Sequence, residues 1–372
     1  MSVKVRDIID IMDRIAPPIF AEDWDNVGLL IGDEDRNVER ILITLDVTGN
    51  TVKEAIEKDV DMIISHHPVI FRSLKSLGNN VEDRSIIYPL IKNDIAVYSA
   101  HTNLDKAVDG VDDTLAALLG LEETRVLIHE KDERYLKLVV FVPRGYEEKV
   151  MQAMGDAGAG WIGNYSHCTF QAKGIGTFKP LEGTDPFIGS QGIIEQVEEV
   201  RLETIIPGTI AGDVVVAMIE AHPYEEVAYD LYPLVNAANK VGLGRVGCLQ
   251  EVITVHKYAE KIRDILEIEN VYVFGDVNKK VEKVVTCAGA GGDFVQQAVD
   301  AGADVFVTGE IKYHESLLAL ELGLPVIALG HYETEVPAME KLVERLQTKF
   351  NTLQYKVEVL SSSARHEAVK TI

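Results

Sequence analysis

Short apolar runs that alternate with helical patterns constrain the fold of this chain more than any other feature. Three such runs occur before residue 110, with helical patterns near 51–58, 85–93 and 112–120: ILITLDVT (41–48), DMIISHHP (61–68) and IAVYSAHTNLD (95–105). The pattern returns after residue 240, with helices near 257–267, 293–301, 314–322 and 334–349 and the runs VITVH, VYVFG, KVVTCAGAGG, DVFVTGE and PVIALGH. Such alternation is typical of a mostly parallel sheet with helices on both faces. The sequence therefore predicts a three-layer α/β domain.

The pattern changes between about residues 130 and 236. There the order is strand, helix, strand, strand, helix, strand, which includes strands at 135–143 and 197–207 and helices at 146–158 and 209–221. This order is typical of a ferredoxin-like domain. The stretch 175–195, with several glycines and two prolines, is predicted to be a loop.

These two patterns predict how the domains are organised. A chain of 372 residues is too long for one ordinary core, so two domains are expected. We predict one discontinuous α/β domain from residues 1–129 and 239–372, with a ferredoxin-like α+β domain inserted at 130–238. Three consecutive domains are the alternative. The insertion is favoured because the candidate site residues come from both outer parts of the chain.

The charge of the chain limits the partners that it can bind. The formal net charge is −24, whereas a nucleic-acid backbone requires a basic surface. We therefore expect no nucleic-acid partner. A single nucleotide held by a metal ion is still compatible with this charge.

Cysteines and apolar segments limit the class of protein further. Cys168, Cys248 and Cys287 lie far apart and form no CxxC pair, which argues against a disulfide framework and a zinc ribbon. Any metal must then be held mainly by His, Asp and Glu. The amphipathic N-terminus lacks the apolar core of a signal peptide, and no run approaches the roughly 18 apolar residues of a membrane span. We expect a soluble, cytoplasmic protein with no membrane partner.

Histidines follow several predicted strands at the point where each strand ends. His66 and His67 follow DMIIS, His101 follows IAVYSA, and His331 follows PVIALG. His314 lies further past its strand, at the start of the next helix. Because ligands bind at the carboxyl ends of strands in parallel α/β sheets, we expect these side chains to gather at one edge.

Two carboxylates accompany these histidines. Asp105 follows His101 by four residues, and Glu335 follows His331 by four. In a helix this spacing places His331 and Glu335 on one face, which is how helices present metal ligands. A capping carboxylate beside a surface histidine is the alternative. The nearby HH and HTNLD motifs favour the metal interpretation.

The adjacency of His66 and His67 bears on the number of ions. Neighbouring residues on a strand point to opposite sides, so we expect these imidazoles to serve two ions rather than one. With Asp105, His331 and Glu335 they supply three imidazoles and two carboxylates, which suffices for a two-metal site with open positions. Nitrogen and oxygen donors without thiolate suit Zn, Mn, Fe, Co or Ni, and the sequence does not choose among them.

Three further motifs each allow two interpretations. CAGAGGD (287–293) is either a backbone anion nest near the metals or a tight structural turn. Asp46 either joins the rim of the site or, as we favour, caps the next helix. Trp24, with Asp25 and Asn26, either lines the pocket or anchors its own loop.

The remaining motifs are assigned structural roles. GLGRVG (242–247) fits a dinucleotide-binding pattern but precedes a predicted strand rather than a helix, so we predict a turn back into the outer domain. His222, in HPYEE, is assigned a structural or interfacial role. Four other histidines have no supporting neighbours: His129, His167, His256 and His366.

In combination, the motifs resemble those of the NIF-three-like dinuclear metal-centre family, whose members are also called GTP cyclohydrolase 1 type 2 homologs. The resemblance spans essentially the whole chain. It is carried by WDNVGLLIG (24–32), SHHP (65–68), AHTNLD (100–105), TGE followed by His314, and GHYETE (330–335). The middle region, with HPYEEVAYDLYPL (222–234), is similar to the longer bacterial members of the YqfO type.

This resemblance implies a cofactor, an insert and an assembly. Two divalent metal ions, with zinc as the first expectation, would be bound by His66, His67, Asp105, His331 and Glu335, and Glu335 would bridge them. The inserted domain would be PII/CutA-like. The chain would form a toroidal homohexamer whose metal sites face an internal cavity.

His101 and His314 are the candidate catalytic residues, with two interpretations each. Either residue acts as a general acid or base. Alternatively, each supports the metal ligands by donating a hydrogen bond to a carboxylate or a carbonyl.

The first functional hypothesis is a metal-dependent hydrolase acting on GTP or a related nucleotide. The resemblance implies attack by a metal-generated hydroxide at C8 of guanine, with release of formate. Phosphoester or amide hydrolysis suits a dinuclear site equally well. The alternatives are non-enzymatic: metal homeostasis or sensing, or a regulatory scaffold whose metals only stabilise the fold.

Overall fold

The computed structural model describes residues 2–74, 76–78, 83–163 and 165–364, apart from the side chains of residues 83–84, 130–133 and 236–240. The chain divides into two compact units. Met1–Lys131 and Val241–Ile372 together form the outer unit, and Asp132–Lys240 forms the middle unit. His366 lies outside the described residues.

Strands and helices alternate along most of the chain. In the described ranges the strands are β1 (Gly28–Ile31), β2 (Arg40–Thr44), β3 (Met62–Ser65), β4 (Ala96–Ser99), β5 (Glu122–Pro143), β6 (Thr169–Phe178), β7 (Glu195–Pro207), β8 (Tyr229–Thr254), β9 (Tyr272–Phe274), β10 (Lys280–Cys287), β11 (Val305–Thr308), β12 (Val326–Ala328) and β13 (Glu358–Ser361).

The α-helices in these ranges are α1 (Val5–Ile15), α2 (Gly49–Glu57), α3 (Tyr88–Lys92), α4 (Thr102–Lys106), α5 (Val111–Leu118), α6 (Glu147–Asp156), α7 (Ala211–Ala221), α8 (Val255–Ile265), α9 (Val295–Asp300), α10 (Tyr313–Glu321) and α11 (His331–Thr352). No helix among the described residues is long and apolar enough to cross a membrane.

The outer unit contains a five-stranded sheet in the order β1-β4-β3-β2-β13. Strands β13, β2, β3 and β4 run parallel, and β1 pairs antiparallel with β4. Successive residues face different cores, since Ile43 and Ile64 belong to one hydrophobic cluster and Leu42 and Ile63 to another. Because both faces are buried, these strands appear in the sequence as continuous apolar runs.

Helices α1 and α11 share one of these two cores with the sheet. Ile8 and Met12 of α1 are fully buried, four residues apart on one helical face. Leu346 and Phe350 of α11 have the same spacing and burial, and all four side chains lie in the cluster that contains Ile43. This packing fixes α11, which carries two of the predicted metal ligands, His331 and Glu335, near its N-terminus.

The second sheet of the outer unit contains the outer-unit parts of β5 and β8 and has the order β5-β8-β10-β11-β12-β9. Its central strands β10, β11 and β12 are parallel, whereas β8 and β9 pair antiparallel with β10 and β12. Tyr258 and Ile262 of α8 pack with Val284 and Val305 in its core. The predicted α/β class is confirmed, with the strands distributed over two sheets whose centres are parallel.

The glycines of GLGRVG (242–247) belong to strand β8 rather than to the predicted turn. A Cβ at Gly242 would overlap the carbonyl oxygen of Ile128. The absent side chain therefore permits a close approach of two backbones. The turn prediction is wrong because glycine in this segment serves strand packing rather than chain reversal.

The middle unit contains β6, β7 and the parts of β5 and β8 within residues 132–240, in the order β6-β7-β5-β8. Strands β5 and β6 both pair antiparallel with β7. Leu138 and Leu202 of the sheet pack with Met154 of α6 and Met218 of α7. Along the chain the elements follow the predicted order, but the ferredoxin-like assignment itself stays a prediction.

Candidate metal centre

The predicted site residues follow strands of both sheets of the outer unit. His66 and His67 come directly after β3, and His101 comes two residues after β4. His331 is the first residue of α11, three residues after β12. Asp105 lies in the short helix α4. The carboxyl ends of the strands thus deliver histidines from distant parts of the chain, as expected for an α/β fold.

His66 and His67 lie side by side although they are adjacent in sequence. Their backbone N–H groups donate to the carbonyl oxygens of Thr44 and Leu45 at 3.2 and 2.9 Å, and their ring centroids lie 5.0 Å apart. The expectation that they point to opposite sides is wrong, because β3 has already ended at Ser65 and the strand alternation ends with it. The number of ions must therefore be argued from the ligand atoms.

The ligand atoms form two groups that share one histidine. His66, His67 and His101 make up the first group, and His67, His331 and Glu335 make up the second. Within each group, one ligand atom of every residue lies within 4.8 Å of the others. The geometry thus offers two neighbouring positions at which a cation would meet several donors.

The surroundings of His66 determine which of its ring nitrogens can accept a metal. Nδ1 lies 2.9 Å from the carbonyl oxygen of Ala100. Since a carbonyl only accepts, Nδ1 carries the hydrogen and Nε2 has a lone pair. Burial lowers the pKa of His66 to about 3. The ring is therefore neutral at pH 7, which is the form of histidine that binds metals.

Three buried polar atoms of the site have no hydrogen-bond partner among the described residues: His66 Nε2, Asp105 Oδ1 and Glu335 Oε2. They converge, because His66 Nε2 lies 3.4 Å from Asp105 Oδ1 and 3.9 Å from Glu335 Oε1. His67 Nε2 lies 3.1 Å from Glu335 Oε2, without the alignment of a hydrogen bond. An unpaired buried polar group costs about 1–3 kcal/mol. Cations at this point would supply the missing partners, so the residues fit a metal site.

The two buried carboxyl groups have opposite pKa shifts. Burial raises the pKa of Asp105 well above its usual value, and the charge of Glu335 raises it further. Burial also opposes ionisation of Glu335, but contacts with His331 and His67 outweigh this effect and lower its pKa. Because a cation favours the ionised form of both groups, metal binding is expected to release a proton from Asp105.

Asp46 orients His67 from the side opposite the site. His67 Nδ1 lies 2.8 Å from Asp46 Oδ1, while Nε2 faces Glu335. Burial would lower the pKa of His67, but these two carboxylates raise it to about 10. The N-cap of α2 is Thr48, which accepts from the N–H of Thr51 at 3.3 Å. The capping role that we favoured for Asp46 is therefore wrong, and a position at the rim of the site fits instead.

Asp25 orients His101 in the same way. His101 Nδ1 lies 2.9 Å from Asp25 Oδ1, and Asp25 Oδ2 accepts from the N–H and hydroxyl of Thr102 at 3.0 and 2.5 Å. Burial opposes ionisation of Asp25, but these hydrogen bonds outweigh it and place the pKa of its carboxyl below the usual range. Nε2 is thereby left as the nitrogen that His101 offers to the first group.

The CAGAGGD segment (287–293) touches the second group through its backbone. A Cβ at Gly289 would overlap Oε1 of Glu335 and would lie 3.2 Å from Nε2 of His331. The N–H of Gly289 donates to the hydroxyl of Thr334 at 3.0 Å, and the N–H of Gly291 donates to a second threonine hydroxyl at 3.1 Å. Because these N–H groups are already used, the structure favours a tight turn over an anion nest.

Comparison with known proteins places the chain in a family. Residues 3–367 match the family described as Duf34/NIF3 (NGG1p interacting factor 3). This chain belongs to the Duf34/NIF3 family. The predicted resemblance to the NIF-three-like family is thereby confirmed.

Relatives of this Duf34/NIF3 chain match it over nearly its whole length. The protein named "GTP cyclohydrolase 1 type 2 homolog" of Bacillus subtilis (strain 168) is 44% identical over 361 residues, which cover 97% of this chain and 96% of the relative. The crystal structure of a Bacillus cereus protein related to NIF3 has a TM-score of 0.87 at 42% identity and covers 100% of both chains. A Staphylococcus aureus protein has a TM-score of 0.72 at 31% identity, with coverage of 100% and 99%.

The structure of this Duf34/NIF3 chain does not bring His314 to the other candidate residues. His314 is exposed on α10, and its ring contacts Tyr313 with centroids 5.5 Å apart. Neither group of ligand atoms in the described residues includes it.

The orienting roles of Asp25 and Asp46 were not predicted. The role of Asp46 could have been predicted from its position, since it follows strand β2 at the same sheet edge as His66. For Asp25 the WDN motif indicated a place near the pocket, but not the contact with His101, which lies 76 residues further along the chain.

Proposed function

We propose that this Duf34/NIF3 protein is a dinuclear metal enzyme that hydrolyses GTP or a related nucleotide. The observation that carries the proposal is the convergence of three unpaired buried atoms, His66 Nε2, Asp105 Oδ1 and Glu335 Oε2, beside His67 and His331. Nitrogen and oxygen donors without thiolate suit Zn, Mn, Fe, Co or Ni, and zinc is the first expectation. The name "GTP cyclohydrolase 1 type 2 homolog" shared by relatives supports the choice of GTP.

In this proposal five residues hold the two cations: His66, His67, Asp105, His331 and Glu335. Glu335 would be shared between them, since its Oε2 lies 3.1 Å from His67 Nε2 and its Oε1 lies 3.1 Å from His331 Nε2. Bound cations would act as Lewis acids and lower the pKa of a coordinated water. Asp46 would keep His67 in the tautomer and orientation that this requires.

His101 is proposed to move a proton during the reaction. Asp25 holds its Nδ1, so Nε2 is the nitrogen that accepts or donates, as in other carboxylate–histidine pairs. The same carboxylate would stabilise the imidazolium that forms when Nε2 is protonated. His314 is exposed and contacts neither group among the described residues, so the proposal gives it no role.

Elemental analysis and product analysis test the metal centre and the substrate separately. Purified protein is expected to contain two divalent ions per chain, and Glu335→Ala protein is expected to contain none. With GTP, metal-loaded protein is expected to release formate and a ring-opened nucleotide, whereas chelator-treated protein releases neither. Metal-loaded protein that leaves GTP unchanged would overturn the substrate, and wild-type protein that binds no divalent ion would overturn the centre.

Metal homeostasis or sensing is a second candidate function, supported by the accessibility of part of the site. The side chains of His67 and His331 are 26% and 34% exposed, so cations there could exchange with solvent. This function predicts that His67→Ala changes cellular metal balance without changing any turnover. Loss of hydrolysis in His67→Ala protein would favour the enzyme instead.

We further propose that the protein is a cytoplasmic, toroidal homohexamer, which rests on the family resemblance. Light scattering coupled to size-exclusion chromatography is expected to give about six times the chain mass of 41.1 kDa. A stable monomer or dimer at micromolar concentration would contradict the hexamer.

A further inference from the structure

Two exposed aromatic rings lie beside the metal centre, next to His101. The exposed fractions are 59% for Trp24 and 48% for Phe71. Their ring centroids lie 5.9 Å apart, and they meet the ring of His101 edge-on at 6.1 and 6.4 Å. The planes of Trp24 and Phe71 are inclined at 57°, so the three rings form an aromatic cluster, rather than one flat surface, beside a member of the first ligand group.

The exposed ring of Trp24 is not what anchors its loop. Asp25 binds His101 and Thr102, and the side-chain amide of Asn26 donates to the carbonyl oxygen of Ile70, directly before Phe71. The residues after Trp24 thus fix its backbone and tie it to the segment that carries Phe71. The structure therefore favours a role for Trp24 in lining a pocket over a role in anchoring its loop.

An exposed aromatic pair on a fixed backbone is suited to binding a flat ring. Exposed indole and phenyl faces contribute little to the core, but they stack with planar heterocycles, and every nucleobase has such a face. Because the loop is already fixed, binding would cost little ordering entropy.

We propose that Trp24 and Phe71 form the platform for the base of a nucleotide substrate, which stacks on Trp24, contacts the inclined ring of Phe71 and so lies next to His101 and the ligand groups. The proposal rests on the proposed function and deepens it by naming the feature of the substrate that is recognised. A substrate of this site carries a planar heterocycle, and an analogue without the ring binds more weakly. Trp24 and Phe71 thereby determine specificity, whereas the metal centre performs the reaction.

Tryptophan fluorescence can observe this contact directly, because the chain has two tryptophans. Trp161→Phe leaves Trp24 as the sole tryptophan. In metal-loaded Trp161→Phe protein, guanosine 5′-monophosphate is expected to quench the emission of Trp24 with saturation. Ribose 5-phosphate and inorganic phosphate, which lack the ring, are expected to leave the emission unchanged.

Calorimetry with the same nucleotide gives a second measurement. Trp24→Leu and Phe71→Leu are each expected to raise the dissociation constant of guanosine 5′-monophosphate about 5- to 150-fold, the range for loss of one stacking contact. Metal content and the affinity for ribose 5-phosphate should stay unchanged. Trp24→Phe should retain most of the affinity. Phe170→Leu, which removes another exposed aromatic ring, serves as the matched control.

Distinct outcomes would overturn the platform and the proposed function. The platform is overturned if the nucleotide does not bind metal-loaded protein, if it binds without changing Trp24 emission, or if Trp24→Leu binds it as well as wild type. The fluorescence measurement uses the Trp161→Phe protein, so it still tests whether the base contacts Trp24 if the Trp24→Leu protein fails to fold. The proposed function fails separately, if nucleotide binds and quenches but metal-loaded protein does not hydrolyse GTP.

Discussion

Asp46 Oδ1 lies 2.8 Å from Nδ1 of His67, and this contact turns the other ring nitrogen of His67 toward Glu335. Glu335 lies in turn 3.1 Å from His331 on the same helix. A residue at the end of β2 is thereby linked to α11, which follows a strand of the other sheet of the outer unit. The candidate metal centre therefore depends on residues that no local sequence pattern brings together.

Substitution of Asp46 tests whether this contact supports metal binding. Asp46→Asn keeps the size of the side chain but removes its charge, and its amide can donate as well as accept, so the tautomer of His67 is no longer fixed by a group that only accepts. We expect the affinity for divalent metal to fall about 10- to 100-fold, as measured by chelator competition. Asp35→Asn, which changes an exposed carboxylate paired with Lys4 and Arg6, should retain wild-type affinity. Equal affinity in Asp46→Asn and wild type would contradict the role of Asp46.

Gly289 tests the close approach of the backbone to the second ligand group. Gly289→Ala is expected to displace Glu335 and reduce metal content, because the added Cβ overlaps its Oε1. Gly163→Ala is a matched control, since Gly163 has nearly the same φ, 57° against 59°, and open space where a Cβ would lie. Gly163→Ala therefore introduces the same backbone strain as Gly289→Ala, but its Cβ overlaps no neighbouring atom. If both variants keep full metal content by elemental analysis, the proposed contact is not needed.

Substitution of His101 is expected to affect proton transfer without affecting metal binding. His101→Asn should lower the hydrolysis rate about 100-fold or more while leaving metal content unchanged, because the proposal assigns this residue a proton and not a cation. His256→Asn, at an exposed histidine of α8, should behave as wild type in both measurements. Loss of one metal equivalent in His101→Asn would instead make His101 a ligand, as its place in the first group allows.

Metal removal is expected to destabilise the protein through the same residues. Divalent ions that bind the folded chain raise the thermal unfolding midpoint in proportion to the logarithm of their free concentration. Wild-type protein should therefore show a midpoint that falls on chelation and recovers when metal is restored. Glu335→Gln protein, which lacks the shared carboxylate, should show little change in either step. An equal response in both proteins would place the stabilising ion elsewhere.

Glu54 provides a pH-dependent prediction away from the site. Its carboxylate accepts from the Ser362 hydroxyl at 2.6 Å and from the Ser363 N–H and hydroxyl at 2.9 and 2.7 Å, and it pairs with Lys58. Burial opposes its ionisation, but these contacts outweigh it and lower the pKa of Glu54 to about 2. Because the folded pKa lies below the ordinary 4.5, the stabilisation is present above pH 4.5 and is lost as the pH falls toward 2.

The measurement for Glu54 is urea unfolding at several pH values. Glu54→Gln should lower the free energy of unfolding at pH 7 by about 1–3 kcal/mol, and the difference from wild type should shrink between pH 5 and pH 3. Glu57→Gln, at an exposed ion pair with Lys53, should change it by less than about 0.5 kcal/mol. A difference that is the same at pH 7 and pH 3 would show that the ionised form contributes nothing.

The strands were predictable because their burial leaves a direct trace in the sequence. Leu42 and Ile43 face different cores, so the run around them is apolar at every position. The alternation of these runs with helices then predicted the α/β class. Because His66 and His331 follow such runs, their place at an edge of a sheet could be predicted as well.

The remaining features depend on where the chain goes between its regular elements. Asp25 meets His101 through a loop, and nothing within the sequence of that loop specifies the contact. His66 and His67 converge because β3 ends at Ser65, directly before them, so the alternation of a strand does not apply to them. The segment 242–247 lies in strand β8, and the missing side chain of Gly242 allows this strand to pass close to the backbone of Ile128. These outcomes follow from tertiary packing, which overrides local pattern.

Anomalous scattering from crystals of the purified protein, recorded at the absorption edge of the metal that elemental analysis identifies, tests the dinuclear centre most directly. Two peaks are expected, one next to His66 Nε2 and Asp105 and one next to His331 Nε2, both adjacent to Glu335. A single peak at these residues, or none in protein grown with excess divalent metal, would contradict the dinuclear centre.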